Sequence, residues 1–213
     1  MAGKIITIAQ QKGGAGKTTL SAHLAVGMSH ALNGPVAILD VDPQGSLGEW
    51  FELRESWLGE DKTGLSFRTA SGWGARREAR SLARQCACVI VDTPPHAERD
   101  AKPAIEAADL VVIPVQPTPV DIWATSSTLD LARAQKTPAL VVLNRVPPRA
   151  RLTGEMEELL IGYEANIAAH RLGNRVAFAE AVGQGATVIE KNSTSRAAEE
   201  ITGLVDEIVS LIW

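Results

Sequence analysis

Eight residues near the start of the chain, Lys12-Gly13-Gly14-Ala15-Gly16-Lys17-Thr18-Thr19, leave few folds open to it. The run follows an apolar, β-branched stretch, Ile5-Ile6-Thr7-Ile8-Ala9, and precedes an apolar-periodic one, Leu20-Ser21-Ala22-His23-Leu24. Strand, glycine loop and helix in that order build a phosphate cradle. Glycines let backbone N–H groups converge on phosphate oxygens with no Cβ in the way, and the following helix turns its positive end toward the same anion. In such a loop Gly13, Gly14, Ala15, Gly16, Lys17, Thr18 and Thr19 contact the nucleotide. Lys17 reaches the β- and γ-phosphates, and the Thr18 hydroxyl ligates Mg²⁺.

Further apolar runs recur at Val36–Leu39, Cys88–Val91, Leu110–Val115 and Leu140–Leu143, continuous rather than alternating. Strands of that kind are covered on both faces. Leu20, Leu24, Met28 and Leu32 fall at helical spacing, and Gly34-Pro35 stops that helix. Gly74 to Gln85, Val120 to Ala134, Thr153 to Glu164 and Ser195 to Ile212 also read as helices, and Ile167–Ala169 as a last short strand. The sum is an α/β fold, a mainly parallel twisted sheet with helices on both faces and right-handed crossovers. No linker or repeat interrupts the chain, and 213 residues at 45% hydrophobic and 22% charged suit one domain over 1–213.

Three strand ends carry polar chemistry, where α/β sheets keep their ligands. Leu39-Asp40-Val41-Asp42-Pro43 presents two carboxylates at i and i+2, on one face if the strand continues, so both can share one Mg²⁺ and its water shell, although taken alone the same residues read as a simple turn. Val89-Ile90-Val91-Asp92-Thr93-Pro94-Pro95 ends a strand in a single carboxylate, and the Pro-Pro pair keeps a helix from starting at once. Val142-Leu143-Asn144-Arg145 ends another in an amide whose donor and acceptor match the N6/N7 edge of adenine, although a turn role explains the same residue. Gln116-Pro117-Thr118-Pro119-Val120-Asp121 is a stiff helix entry with Asp121 in the favoured first turn.

The loop departs from the general phosphate-binding pattern: Gln11 stands where Gly is usual, and Lys12 adds a second cation. This variant resembles the deviant Walker A loop of the ParA/MinD family, with the short ParF-like members most similar in size. The resemblance implies a P-loop NTPase fold and a Mg²⁺-dependent ATPase, weak alone and stimulated by a ParB- or ParG-like partner. It implies that Lys12 reaches the partner subunit's nucleotide in an ATP-dependent homodimer and that Lys12, Lys17 and Asp42 are catalytic, with Asp42 orienting the attacking water in switch I. By the same resemblance Asp40 supports the magnesium shell, Asp92 meets Mg²⁺ through a water as in a Walker B strand, and Asn144 recognises adenine. Asn174-Arg175-Val176 and Ser195-Arg196-Ala197 sit where similar ParA proteins carry non-specific DNA-binding arginines, which nominates Arg175 and Arg196, with Arg171 beside them.

A net charge of −4 excludes a globally basic nucleic-acid binder, so DNA contact must be local. Arg76, Arg80 and Arg84 form a like-charge stripe, with Arg77 adjacent, for which a solvated face is the default reading and docking of a partner or DNA the alternative. No apolar run approaches the ~18 residues of a membrane span, and no signal peptide or N-terminal helix-turn-helix is expected. Cys86 and Cys88 are not expected to pair, which fits a reducing cytoplasm. The last helix is amphipathic but acidic at Asp206-Glu207, unlike a basic membrane-targeting tail. The function expected is a cytoplasmic, nucleoid-associated partition or positioning ATPase with ATP-regulated, non-specific DNA binding and no membrane contact. Its rivals are a MinD-like membrane-associated positioning ATPase and a metabolic P-loop enzyme.

Overall fold

The computed structural model describes residues 2–95, 98–148 and 151–213. Each expected apolar run becomes a strand: β1 (Lys4–Ile8), β2 (Val36–Asp40), β4 (Cys88–Asp92), β5 (Leu110–Val115) and β6 (Ala139–Leu143), joined by β3 (Leu65–Thr69). They form one sheet in the order β3-β2-β4-β1-β5-β6, and every neighbouring pair is parallel. Period-two alternation explains the continuous apolar runs. Ile6, Ile8, Ile38, Ile90, Val112 and Val142 point into a core under α1 (Lys17–Ala31) and α9 (Arg196–Ile212). Their neighbours Ile5, Leu39, Val89 and Val91 point the other way, toward α3 (Ala75–Ala83), while Val111, Ile113 and Val141 join the core containing Ile122 and Leu129 of α5 (Pro119–Ala134).

α1 lies buried from Leu20 to Met28, between the sheet and α9. Gly27 permits that approach, since a Cβ there would stand 2.6 Å from a Val205 methyl of α9. Because parallel strands end together, the loops after β1, β2, β4, β5 and β6 gather at one edge, and β1 is flanked by β4 and β5. Asp40 and Asp92 are register partners on β2 and β4, so two carboxylates end side by side.

Several elements lay outside the expectation. β3 is an edge strand with Ser66 and Arg68 interrupting its apolar side chains, and its half-exposed pattern lacks the continuous hydrophobicity of the buried strands. α2 (Ser46–Leu58), α4 (Glu98–Ala107), α6 (Arg151–Gly162), α7 (Val176–Val182) and α8 (Val188–Lys191) complete the helical shell. Only α6 among these was anticipated. Ile167–Ala169 does not form a strand: it runs beside β6 and pairs through the single bridge Val141–Ile167, so it lacks the repeated ladder a strand needs. Cys86 and Cys88 are both free and buried.

Candidate nucleotide site

The glycine loop leaves β1 and enters α1 through Gly16, whose φ of 90° is left-handed. A Cβ at Gly16 would also fall 2.5 Å from Asn144 Nδ2, so conformation and contact both demand glycine. Neighbouring strand ends tether the loop by its carbonyls. Asn144 Nδ2 donates to Ala15 O at 2.8 Å, while Gln116 Nε2 and Arg145 Nη1 donate to Gly14 O at 3.0 and 3.2 Å. The N–H groups of Gly13, Gly14, Ala15 and Gly16 donate to no acceptor among the described residues. Unpaired donors converging on one concavity are what an anion would satisfy.

Lys17 opens α1 and is buried, and desolvation holds its ammonium below the usual lysine range, against the opposing pull of Asp92 and Asp42. A buried cation beside orphan N–H groups fits a polyphosphate chemically. Thr18 and Ser21, three residues apart on the same helix face, donate their hydroxyls to the two oxygens of Asp92 at 2.7 and 3.0 Å. Burial pushes the Asp92 carboxyl up to about 7, and nearby Asp40 adds to the rise. One carboxylate with two hydroxyls beside it is an all-oxygen set of the kind Mg²⁺ takes. Ser21 was not singled out from sequence, although its spacing from Thr18 and Lys17 was a usable signal.

Asp40 departs from its expected role in the magnesium shell. β2 ends at Asp40, so Asp40 and Asp42 no longer share a strand face, and the Asp40 carboxylate accepts from Asp42 N at 3.0 Å and Gly48 N at 3.2 Å. It shapes the loop that carries Asp42 and anchors the start of α2. Burial raises its pKa and these two N–H groups oppose the rise. Asp42 is half-buried in that loop, with Oδ1 accepting from Gln44 N at 2.9 Å, and is near enough to Lys17 to act on its charge.

Lys12, expected to reach a partner subunit's nucleotide, is held within its own subunit in this structure. Its Nζ lies 2.6 Å from Asp121 Oδ2, in the same subunit, with Lys12 about one-third exposed and Asp121 buried. Asp121 also accepts from the Thr118 hydroxyl that caps α5. Sequence reading placed Asp121 by its position in the first helical turn; its partner 109 residues away was invisible there. Below this pair, Gln10 is buried and bound to the hydroxyls of Thr125 at 3.0 Å and Thr128 at 3.2 Å, which fixes α5 against the loop.

A cavity of about 270 Å³ adjoins the loop, floored by Leu20, Leu172, Phe178 and Ile201 and rimmed by Asn144 and Arg175. Asn144 uses one N–H on Ala15 O and accepts from Arg145 N at 2.9 Å, leaving one donor hydrogen and one lone pair for a base edge. His23 is fully buried in the same wall. Its Nδ1 lies 2.8 Å from Thr19 O, its Nε2 accepts from Val188 N at 3.2 Å, and its ring stands edge-on to Phe178. Desolvation lowers its pKa to about 4, so the imidazole is neutral.

The arginines nominated for DNA are partly corrected. Arg175 lines this cavity and pairs with Glu200, at 2.6 Å through Nη2 and 3.1 Å through Nε, so a carboxylate on α9 already neutralises its charge. Arg171 is held 3.3 Å from Glu157. Arg196 is 79% exposed with Glu200 at 3.8 Å, the most open of the three. Among the described residues, no helix is long and apolar enough to cross a membrane.

Residues 6–188 match the family model described as the CobQ/CobB/MinD/ParA nucleotide binding domain. The maintenance of carboxysome distribution protein A of Halothiobacillus neapolitanus is 29% identical over 213 residues, covering 96% of this chain and 95% of that protein. Protein ParA of Rhizobium radiobacter is 34% identical over 153 residues, covering 69% and 67%. The fold superposes on a Cyanothece McdA–ATP complex with a TM-score of 0.78 at 17% identity, over 98% of this chain and 97% of that one. With a glycine loop of unpaired N–H groups, a buried lysine and a carboxylate–hydroxyl pair at its site, this chain belongs to the CobQ/CobB/MinD/ParA nucleotide-binding family, as a ParA/MinD-type ATPase that binds ATP with Mg²⁺.

Proposed function

We propose that this ATPase is a positioning switch acting as a single-domain unit: ATP joins two copies, the dimer binds DNA non-specifically, and a ParB- or ParG-like partner stimulates hydrolysis to release it. Relatives named for carboxysome distribution and for ParA support a cargo that is a protein compartment or a DNA molecule. The observation that carries the reading is Lys12. The phosphate loop already has its own buried cation in Lys17, and Lys12 stands at the outer rim, neutralised in cis by Asp121. A second rim cation held on a neighbouring carboxylate suits exchange onto a partner's phosphates.

In this reading the unpaired N–H groups of Gly13 to Gly16 hold the phosphates, with Thr19 completing the helix N-terminus. Lys17 lies against the β- and γ-phosphates, and Asn144 offers its remaining donor and acceptor to adenine. Thr18 and Asp92 would hold Mg²⁺, which supplies charge neutralisation on the phosphate oxygens when bound. Asp42 orients a water whose oxygen bonds to the γ-phosphorus as the bond to the β–γ bridging oxygen breaks, giving ADP and phosphate. Most of the rate then comes from position and charge.

Light scattering with ATP and Mg²⁺ tests this. Asp42→Ala should bind ATP, hydrolyse it roughly a hundredfold more slowly and accumulate as a dimer, and Lys12→Ala should bind ATP but stay monomeric. A Lys12→Ala protein that dimerises normally refutes the switch and leaves a monomeric metabolic P-loop enzyme as the better account. Co-sedimentation with liposomes but not with random-sequence DNA would favour the membrane-associated reading.

A further inference from the structure

α3 and its C-cap residue carry four arginines, of which the fold pairs one, Arg76. Arg76, Arg77, Arg80 and Arg84 are all exposed, and repulsion at i,i+3 and i,i+4 spacing weighs against the helix. Arg76 is paired with Glu106 of α4 at 2.7 Å. Arg77, Arg80 and Arg84 form no ion pair among the described residues. Beside them Trp73, in the turn that leads into α3, is 87% exposed, the most open of the large hydrophobic side chains. Together these side chains line a shallow depression of about 370 Å³ with no carboxylate in its wall.

We infer that the Trp73–Arg77–Arg80–Arg84 face of α3 is a surface on which this protein takes the phosphate backbone of duplex DNA. The inference rests on the DNA-binding arm of the switch proposed above and adds the place. Guanidinium forks match phosphate oxygens bidentately. Arg77 and Arg84 are separated by seven residues of helix, about 10 Å, so the guanidinium groups are spread along one face, as a row of backbone phosphates requires, and not gathered at one point. An acidic peptide fits less well, because tight peptide interfaces bury apolar anchors in pockets and this depression offers one indole among cations. By contrast Arg171 and Arg175, two of the three sequence-nominated arginines, each already have a close carboxylate, and the third, Arg196, is open but stands alone, with Glu200 at 3.8 Å.

The same face is coupled to the nucleotide edge of the sheet. α3 and its leading turn pack on α4, which begins shortly after the Asp92-Thr93-Pro94-Pro95 loop. A Cβ on Gly72 would lie 2.5 Å from Asp100 Oδ1 of α4, so the turn bearing Trp73 sits hard against that helix. A rearrangement after Asp92 therefore moves the ground on which the arginines stand.

The test is a salt series for binding random-sequence duplex DNA, with ATP and Mg²⁺, in the slow-hydrolysing Asp42→Ala background. Three variants are compared: the triple Arg77→Ala/Arg80→Ala/Arg84→Ala, the corresponding triple Lys, and Trp73→Ala. Dimerisation by light scattering and thermal unfolding serve as controls. The triple Ala variant should dimerise and unfold as the parent does, while its slope of log K against log salt flattens by about 2.7 per subunit, at about 0.9 per lost phosphate contact. The triple Lys variant should keep the slope, and Trp73→Ala should weaken binding a few-fold with the slope unchanged, since its contact is apolar. A parent that binds no DNA under any salt overturns the DNA arm of the switch itself. A parent that binds, with the triple Ala variant binding at an unchanged slope, overturns only the α3 surface. Unchanged DNA binding with loss of partner-stimulated hydrolysis overturns it in favour of an acidic protein partner.

Discussion

The Lys12–Asp121 pair makes Asp121→Asn the most informative single change in this molecule. In the monomer Lys12 Nζ is 2.6 Å from a buried carboxylate. If Lys12 crosses to a partner's phosphates on dimerisation, that contact must break first, and its strength opposes association. Lys12 is about one-third exposed, so solvent screens the pair, and on the order of 1 kcal/mol per subunit is the appropriate scale. A symmetric dimer breaks two such pairs, about 2 kcal/mol in all, which converts to roughly a thirtyfold tighter dimer once Asp121 is neutral. Asn keeps the shape of Asp121 and can still accept from the Thr118 hydroxyl, so α5 should keep its entry. The loss of a first-turn charge costs about 0.5 kcal/mol of monomer stability. The assay is sedimentation velocity at graded protein concentration with ATP and Mg²⁺, in the Asp42→Ala background. The Asp121→Asn midpoint should move to lower concentration, and adding Lys12→Ala should abolish the dimer whatever stands at 121. If Asp121→Asn leaves the midpoint in place or weakens the dimer, the cis pair does not hold Lys12 back, and Asp121 supports the assembled interface instead.

Three further outcomes follow from the same geometry. Lys17→Ala should lose measurable ATP binding in an equilibrium titration while leaving thermal unfolding nearly intact, because a desolvated cation is removed from a site already short of an anion. His23, with a folded pKa of about 4 against 6.5 when free, should contribute stability that is complete above pH 6.5 and lost as pH falls from 6.5 toward 4. The unfolded chain takes up the proton first, and the full loss is about 3 kcal/mol. Urea titrations at pH 7 and pH 4.5 on His23→Gln should show a smaller pH difference than the parent. Arg54 is buried and holds Glu190 at 2.7 and 3.0 Å, so Arg54→Met should cost about 3 kcal/mol in the same assay by leaving a carboxylate unpaired, whereas Glu190→Gln with Arg54→Met should recover part of it.

The phosphate loop, the flanking helix and the carboxylates that close β2 and β4 are legible because each is local. A glycine that must adopt a left-handed φ, a lysine beside it and an apolar run before it occupy adjacent positions, and backbone sterics force the strand–loop–helix order. The five buried strands are legible for a related reason, since a run apolar at every position can only be covered on both faces. β3 escaped because an edge strand is covered less and its pattern dilutes. α2 escaped because its buried Leu47, Trp50, Phe51 and Arg54 include a charge that only the distant Glu190 makes acceptable inside.

Roles shared between distant residues could be read only in three dimensions. Asp40 resembled a metal carboxylate by its spacing from Asp42, yet β2 ends at Asp40 and the loop folds back to place two N–H groups on its oxygens. Arg175 resembled a DNA contact by position, yet α9 brings Glu200 against it. Lys12 was legible as a second cation of the loop, but the carboxylate that α5 brings to it, Asp121, was not. The nucleotide loop, the parallel sheet and the family follow from the order of residues, because glycine conformation and hydrophobic periodicity act between near neighbours. Tertiary structure alone decided which charges are neutralised and which stay open, because an ion pair depends on a partner 25 or 109 residues away being brought within a few ångströms by the packing of the sheet and its helices.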